Sequence, residues 1–373
     1  MKRNLLCVIL AVSVFGMLFS TSCKKDNNDP APPDYKQELQ TMIDSNWNAY
    51  WDQGVGPIGG LMFEISTPTG EYFVSSNYND TVNQDVHFRG GSTTKMFTAA
   101  AIMLLEEHGK LDIDAKITDI IPGKTESYIP DLAMYNIPYK NEITIKQLMQ
   151  HTAGVFDVTN TPIPDEVQQP YAGMTYNNYI DFVLEDITHE YTFEEFINVV
   201  AENQLTYGAP NIEFHYSNIG YMLLGVIVER VGEMDFDQFV TNNFAEPLGM
   251  THTLFSSDPF FRLLPTPYVH GYLSYEGNPM DVTEYINLSS GVAAGNIITT
   301  CNDLNKWTKN LLTGNAGISQ ERVNEMMDYM ETHEGHEYYG LGINYTPGLG
   351  YGHNGGVFGY MTVTRYNPDN QIV

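Results

Sequence analysis

Gly90-Gly91-Ser92-Thr93-Thr94-Lys95-Met96-Phe97 is the stretch around which the chain is organised. Two glycines permit a tight turn. A helix is then expected from Ser92 through Leu105, stopped at Gly109. Met96, Phe97, Ala99, Ala100, Ala101, Ile102, Met103 and Leu104 make it apolar nearly all round, which marks a buried helix. Lys95 is the exception, one turn from Ser92 and on the same face. A serine hydroxyl is a weak nucleophile until a base removes its proton. A neighbouring lysine can serve once desolvation lowers its pKa. The helix N-terminus adds positive potential where an oxyanion would form. Alone the pattern is weak, since Ser22-Cys23-Lys24-Lys25 repeats it.

The start of the chain reads as an export signal over residues 1–22. Lys2 and Arg3 precede a 15-residue apolar run from Leu5 to Phe19, short of the about 20 residues that span a bilayer. Ser20-Thr21-Ser22-Cys23 resembles a lipobox, which makes Cys23 the expected lipidation site, ordinary signal cleavage near Ser22 being the alternative. Residues 23–34, polar and proline-rich, read as a flexible tether. The expected location is the cell envelope, with a lipid anchor to the membrane. With Cys7 removed and Cys23 lipidated, Cys301 stands alone, which leaves no intrachain disulfide and no cysteine-based metal site. The formal net charge of −28 disfavours nucleic acid as a partner.

Residues 35–373 read as one domain. A helix is expected over 35–53, then a hairpin of Gly60–Ile65 and Tyr72–Val74 around Thr67-Pro68-Thr69-Gly70. Helices follow at 143–150, 192–203, 217–232, 235–244, 300–312 and 319–330, and strands at 339–345, 350–355 and 360–366. Residues 155–190, acidic and rich in Pro, Asn and Tyr, read as a surface excursion. Strands early and late with helices between give an α+β fold: one sheet built from both chain ends and an inserted helical subdomain.

Two further motifs carry polar chemistry. Tyr216-Ser217-Asn218 precedes an apolar helix, so Tyr216 and Asn218 can enter one cleft. The phenol suits proton transfer if cations lower its pKa, and the amide both donates and accepts. A packing tyrosine and an N-cap explain the same residues. Gly350-Tyr351-Gly352-His353-Asn354-Gly355-Gly356 lies on a late strand, where glycine marks close backbone approach. It matches G-x-G-x-x-G, but a strand follows it, which argues against a dinucleotide site. No G-x-S-x-G occurs, and His333-Glu334-Gly335-His336 reads as surface.

Ser92-x-x-Lys95, Tyr216-x-Asn218 and His353-x-Gly355, in that order, resemble the serine β-lactamase and penicillin-binding family, especially its class C branch with the related DD-peptidases, esterases and D-amino-acid peptidases. Gln147–Gly154, Asn218–Gly225, Pro247–Met250 and Ala294–Leu304 agree with the resemblance. It implies an antiparallel sheet flanked by helices, with an inserted helical subdomain, and an acyl-enzyme hydrolase needing no cofactor or metal. Ser92 would attack the substrate carbonyl, and Lys95 and Tyr216 would move its proton. The N–H groups of Ser92 and Gly356 would form the oxyanion hole. Asn218, His353, Asn354, Gly355 and Gly356 would line the binding site for a small-molecule, cell-wall-peptide, ester or β-lactam substrate. The alternative is a non-hydrolysing penicillin- or peptidoglycan-binding sensor on the same fold.

Two departures from the family pattern stand out. Asn354 replaces a hydroxyl residue that contacts substrate carboxylates, which puts a preference for carboxylates or penicillins in doubt. The family also places another strand and a helix beyond the point where this sequence stops at Val373. Without them, apolar sheet surface is expected to be exposed.

Overall fold

The computed structural model describes residues 35–51, 59–79, 81–275, 278–332 and 338–373. The signal, Cys23, the tether and His333–His336 lie outside them.

Helix α1 (Tyr35–Trp51) packs on the hairpin of β1 (Leu61–Thr67) and β2 (Gly70–Ser76), which pair in antiparallel register around Pro68-Thr69. Strand β3 (Phe88–Gly91) leads through a turn into α2 (Thr94–Glu107), with every residue from Thr94 to Leu105 buried. After it come α3 (Ile145–Met149), the single turn α4 (Tyr176–Asn178), α5 (Phe193–Glu202), α6 (Asn218–Gly232) and α7 (Phe236–Val240). Strands β4 (Leu254–Phe255), β5 (Tyr272–Tyr275), β6 (Asn278–Asp281) and β7 (Ile297–Thr299) precede helices α8 (Cys301–Leu312) and α9 (Gln320–Met327). The chain finishes in β8 (Met330–Glu331), β9 (Tyr338–Tyr339), β10 (Asn344–Thr346), β11 (Gly350–Val357) and β12 (Tyr360–Tyr366).

Helix starts follow local chemistry. Thr192, Ser217, Thr300 and Ser319 each accept a hydrogen bond from the backbone N–H three residues on, and Thr144 and Gln147 form a capping box. Helix α2 begins two residues later than the sequence suggested, because Ser92 and Thr93 form the turn that precedes it.

Helix α2 is the axis of the core. It packs on α6, and Phe97 stacks on Trp307 of α8 at 3.9 Å between ring centroids. Gly225 allows a close approach in α6: a Cβ there would lie 2.5 Å from the Phe193 ring.

The expected single sheet is two. β12-β11-β10-β9-β8 form one antiparallel sheet and β1-β2 another. Ser66 and Val373 exchange a pair of backbone hydrogen bonds of 3.0 and 2.9 Å, which ties the last residue to β1. A third sheet, β3-β7-β4, holds the segment that delivers Ser92; its strands are two to four residues long, too short for a period-2 pattern to show. On β12, Thr362 and Thr364 are buried, with Thr364 hydrogen-bonded to Thr308 of α8, while Met361 and Val363 on the other face are exposed. The 155–190 segment is only partly a surface excursion. Asp157, Val158, Ile163, Tyr171 and Ile180 are buried, and its first residues form part of the site.

Candidate active site

Ser92 sits half-buried in the turn between β3 and α2. Glycine is required on both sides of that turn. Gly91 has φ +54°, and a Cβ on Gly355 of β11 would lie 1.9 Å from the Gly90 carbonyl oxygen. The Ser92 turn and β11 are therefore in backbone contact.

Lys95 is wholly buried, with Nζ 2.6 Å from Asn218 Oδ1, 2.8 Å from the Ala294 carbonyl and 3.3 Å from Ser92 Oγ. Burial pulls its pKa down from 10.5 to about 7, with the Asp157 carboxylate opposing. The neutral amine has two N–H groups and a lone pair. Its two shorter contacts are to oxygens that only accept, so they take the N–H groups. The lone pair is left for the Ser92 hydroxyl.

Tyr216 lies beside this pair, its ring centroid 4.7 Å from Lys95 Nζ. The cation-depressed phenol suggested by the sequence does not occur. Desolvation raises the Tyr216 pKa well above 10, and the neighbouring Ser92 hydroxyl offsets only part of it. Tyr216 is a neutral phenol.

The Asn218 amide is held from three directions. Its backbone N–H donates to Asp157 Oδ2 at 3.1 Å, its Nδ2 donates to Thr159 Oγ1 at 2.8 Å, and its Oδ1 accepts from Lys95.

On the opposite wall, the two-residue turn Phe358-Gly359 makes Val357–Tyr360 the closing pair of the β11–β12 hairpin. Alternation then turns the N–H of Gly356 away from β12. A Cβ on Gly91 would come within 3.0 Å of that nitrogen, so it lies next to the Ser92 turn. Gly356 is exposed at this edge.

His353 and Asn354 are placed otherwise than expected for substrate contacts. His353 is 2% exposed with both nitrogens engaged. Its Nδ1–H donates to the Asn354 carbonyl at 2.6 Å, so in the neutral ring Nε2 accepts from the Tyr339 hydroxyl at 2.9 Å. Tyr339 in turn accepts from His151 Nε2–H at 3.2 Å, and His151 Nδ1 accepts from the Ser217 N–H at 3.1 Å. Every proton in this buried chain is thereby assigned, and both imidazoles are neutral. Burial and the Lys95 charge lower the His353 pKa to about 3 and that of His151 well below 6.5. Asn354 Oδ1 accepts from Arg365 Nη2 at 2.7 Å.

A family model, Beta-lactamase, matches residues 69–373. The chain belongs to the Beta-lactamase family. Protein flp of Staphylococcus aureus (strain NCTC 8325 / PS 47) is 26% identical over 286 residues, 74% of this chain and 49% of its own, so this chain spans about half the length of that relative. Penicillin-binding protein 4 of Amycolatopsis lactamdurans is 24% identical over 308 residues, covering 78% of this chain and 72% of its own. Among solved structures, a D-stereospecific amidohydrolase from Streptomyces sp. superposes with a TM-score of 0.73 at 24% identity, over 91% of this chain and 92% of that one. D-amino acid amidase from Ochrobactrum anthropi SV3 does so with 0.70 at 22%, over 91% and 90%. The β-lactamase/transpeptidase-like α+β fold expected from the three motifs is the fold observed.

Sequence reasoning placed Ser92, Lys95, Tyr216 and Asn218 within one cluster and Gly355 and Gly356 beside it. It missed Asp157, Thr159, His151, Tyr339 and the Ala294 carbonyl. Asp157 had a readable signal: a lone acid between Phe156 and Val158, three residues after the His151–Gly154 motif of this β-lactamase-family chain. Ala294 opens a stretch that agrees with the family resemblance, but nothing in its side chain marks a role, because its contribution is backbone.

Proposed function

We propose that this protein is an exported serine hydrolase acting through an acyl-enzyme on an amide, ester or β-lactam. The Lys95 lone pair directed at Ser92 Oγ carries the reading. Lys95 takes the proton as Ser92 attacks the carbonyl and a Ser92–acyl bond forms. Tyr216, a neutral phenol beside this pair, passes its proton to the leaving group as the scissile C–N or C–O bond breaks, and takes one back from Lys95. The Ser92 and Gly356 N–H groups receive the oxyanion. Water then releases the acyl group.

His353, neutral and buried, supplies no fixed charge for a substrate carboxylate. That favours acyl donors with an uncharged end, such as amides and esters, over penicillins. The test is intact mass after incubation with penicillin, a p-nitrophenyl ester and a D-amino-acid amide, with Ser92→Ala as control. Turnover of ester or amide without a lasting penicillin adduct is expected. A stable penicillin adduct without turnover of any of the three overturns hydrolysis in favour of a sensor, and turnover by Ser92→Ala overturns the nucleophile. We further propose that lipidation of Cys23 anchors the protein in the cell envelope. A Cys23→Ser variant that still labels with palmitate and stays in the membrane fraction overturns that part.

A further inference from the structure

Asp157 lies in the loop after α3, with its side chain closed to solvent. Its carboxylate accepts five hydrogen bonds. Oδ1 takes the Thr159 N–H (3.0 Å), the Thr159 hydroxyl (2.6 Å) and the Asn160 N–H (3.3 Å); Oδ2 takes Asn160 Nδ2 (2.8 Å) and the Asn218 N–H (3.1 Å). The Thr159 hydroxyl, its proton given to Asp157, is left as an acceptor for Asn218 Nδ2. The amide is thereby oriented with Oδ1 toward Lys95. Asp157 thus reaches the lysine by two routes, one through Thr159 and Asn218, the other through space.

The groups around Lys95 come from several elements: His151 after α3, Tyr216 and Tyr221 at and in α6, His353 in β11, and Tyr339 of β9 behind them. All are neutral as assigned above or by the raised phenol pKa values. Asp157 is the carboxylate that acts on Lys95.

We propose that Asp157 is a positioning residue for the acylation step: it fixes Asn218 against Lys95 through Thr159 and supplies the negative charge opposite the lysine. The proposal rests on Ser92 and Lys95 being nucleophile and base. Its two routes are separable. Removing the charge weakens proton affinity at Lys95, while removing the Thr159 acceptor releases the Asn218 amide and leaves the charge in place.

The test is the rate of covalent labelling by a fluorophosphonate probe, read by intact mass from pH 5 to 9, for wild type, Asp157→Asn, Thr159→Val and Ser92→Ala. The wild-type rate rises with pH, half-maximal near 7, as Lys95 loses its proton. Asp157→Asn is expected to move the half-rise acidward by about one pH unit. Thr159→Val is expected to lower the plateau about tenfold with the half-rise unmoved. A half-rise at the wild-type pH in Asp157→Asn overturns the electrostatic route, because a merely structural aspartate would lower the rate without moving it. A wild-type plateau in Thr159→Val overturns the positional route, and decides the proposal by itself if Asp157→Asn does not fold. Unlabelled wild type, or labelled Ser92→Ala, overturns instead the assignment of Ser92 on which both rest.

Discussion

The two walls of the cleft are built on opposite plans. On the α2–α6 wall, polar atoms are buried and committed: Lys95, Asn218, Asp157 and Thr159 hold one another in fixed directions. On the β11 wall, the His353 and Asn354 side chains are engaged by Tyr339 and Arg365 and the backbone lies against the Ser92 turn, with Gly355 against Gly90 and Gly356 at the open edge. The first wall sets where protons reside, which requires desolvation and a definite partner for each hydrogen. In the proposed mechanism the second receives charge that exists only during reaction, which requires unfilled N–H groups and no side chain in the way.

The comparison can be broken most sharply at the nucleophile. Ser92→Ala is expected to cut turnover at least about 10⁴-fold while the circular dichroism spectrum and melting temperature stay near wild type. Lys95→Met, on the same wall, is expected to lower kcat about 10³-fold. Because it removes a desolvated amine from the core, its melting temperature is expected at or above wild type; a large loss would show that the buried hydrogen bonds outweigh desolvation.

The β11 wall gives a contrast between neighbours. Gly355→Ala puts a methyl group against the Gly90 carbonyl and is expected to lower both stability and kcat, the latter about a hundredfold. Gly356→Ala meets nothing nearer than Met361 Sδ at 3.5 Å, so the fold is expected to tolerate it and any loss to fall on kcat alone. Equal melting temperatures for the two variants would refute the backbone contact.

The smallest effect is on stability in acid. His353 and His151 bind protons less readily in the folded than in the unfolded chain, so the unfolded state takes up more protons as pH falls below 6.5. Stability is expected to decline from about pH 6.5 toward about pH 3, read as a falling urea midpoint, with a shallower decline in His353→Gln.

Patterns that local chemistry controls were legible. The buried helix around Lys95, the capped starts at Thr192, Ser217, Thr300 and Ser319, and the hairpin at Pro68-Thr69 follow from short-range rules. The three motifs were legible through the resemblance of their order to that of the family. What could not be read depends on partners far along the chain. The strands flanking the Ser92 turn are too short to announce themselves. Asp157 and Asn218 are brought together across 61 residues, and Val373 is joined to Ser66 across most of the chain.

The sequence by itself determined the fold class, the Ser92–Lys95 spacing on one helical turn, and the glycines that let β11 approach. Only the tertiary structure decided which groups carry charge. Burial makes Lys95 a base near neutral pH, keeps Tyr216 a phenol and holds His353 neutral, because each pKa answers to desolvation and to neighbours that folding alone assembles.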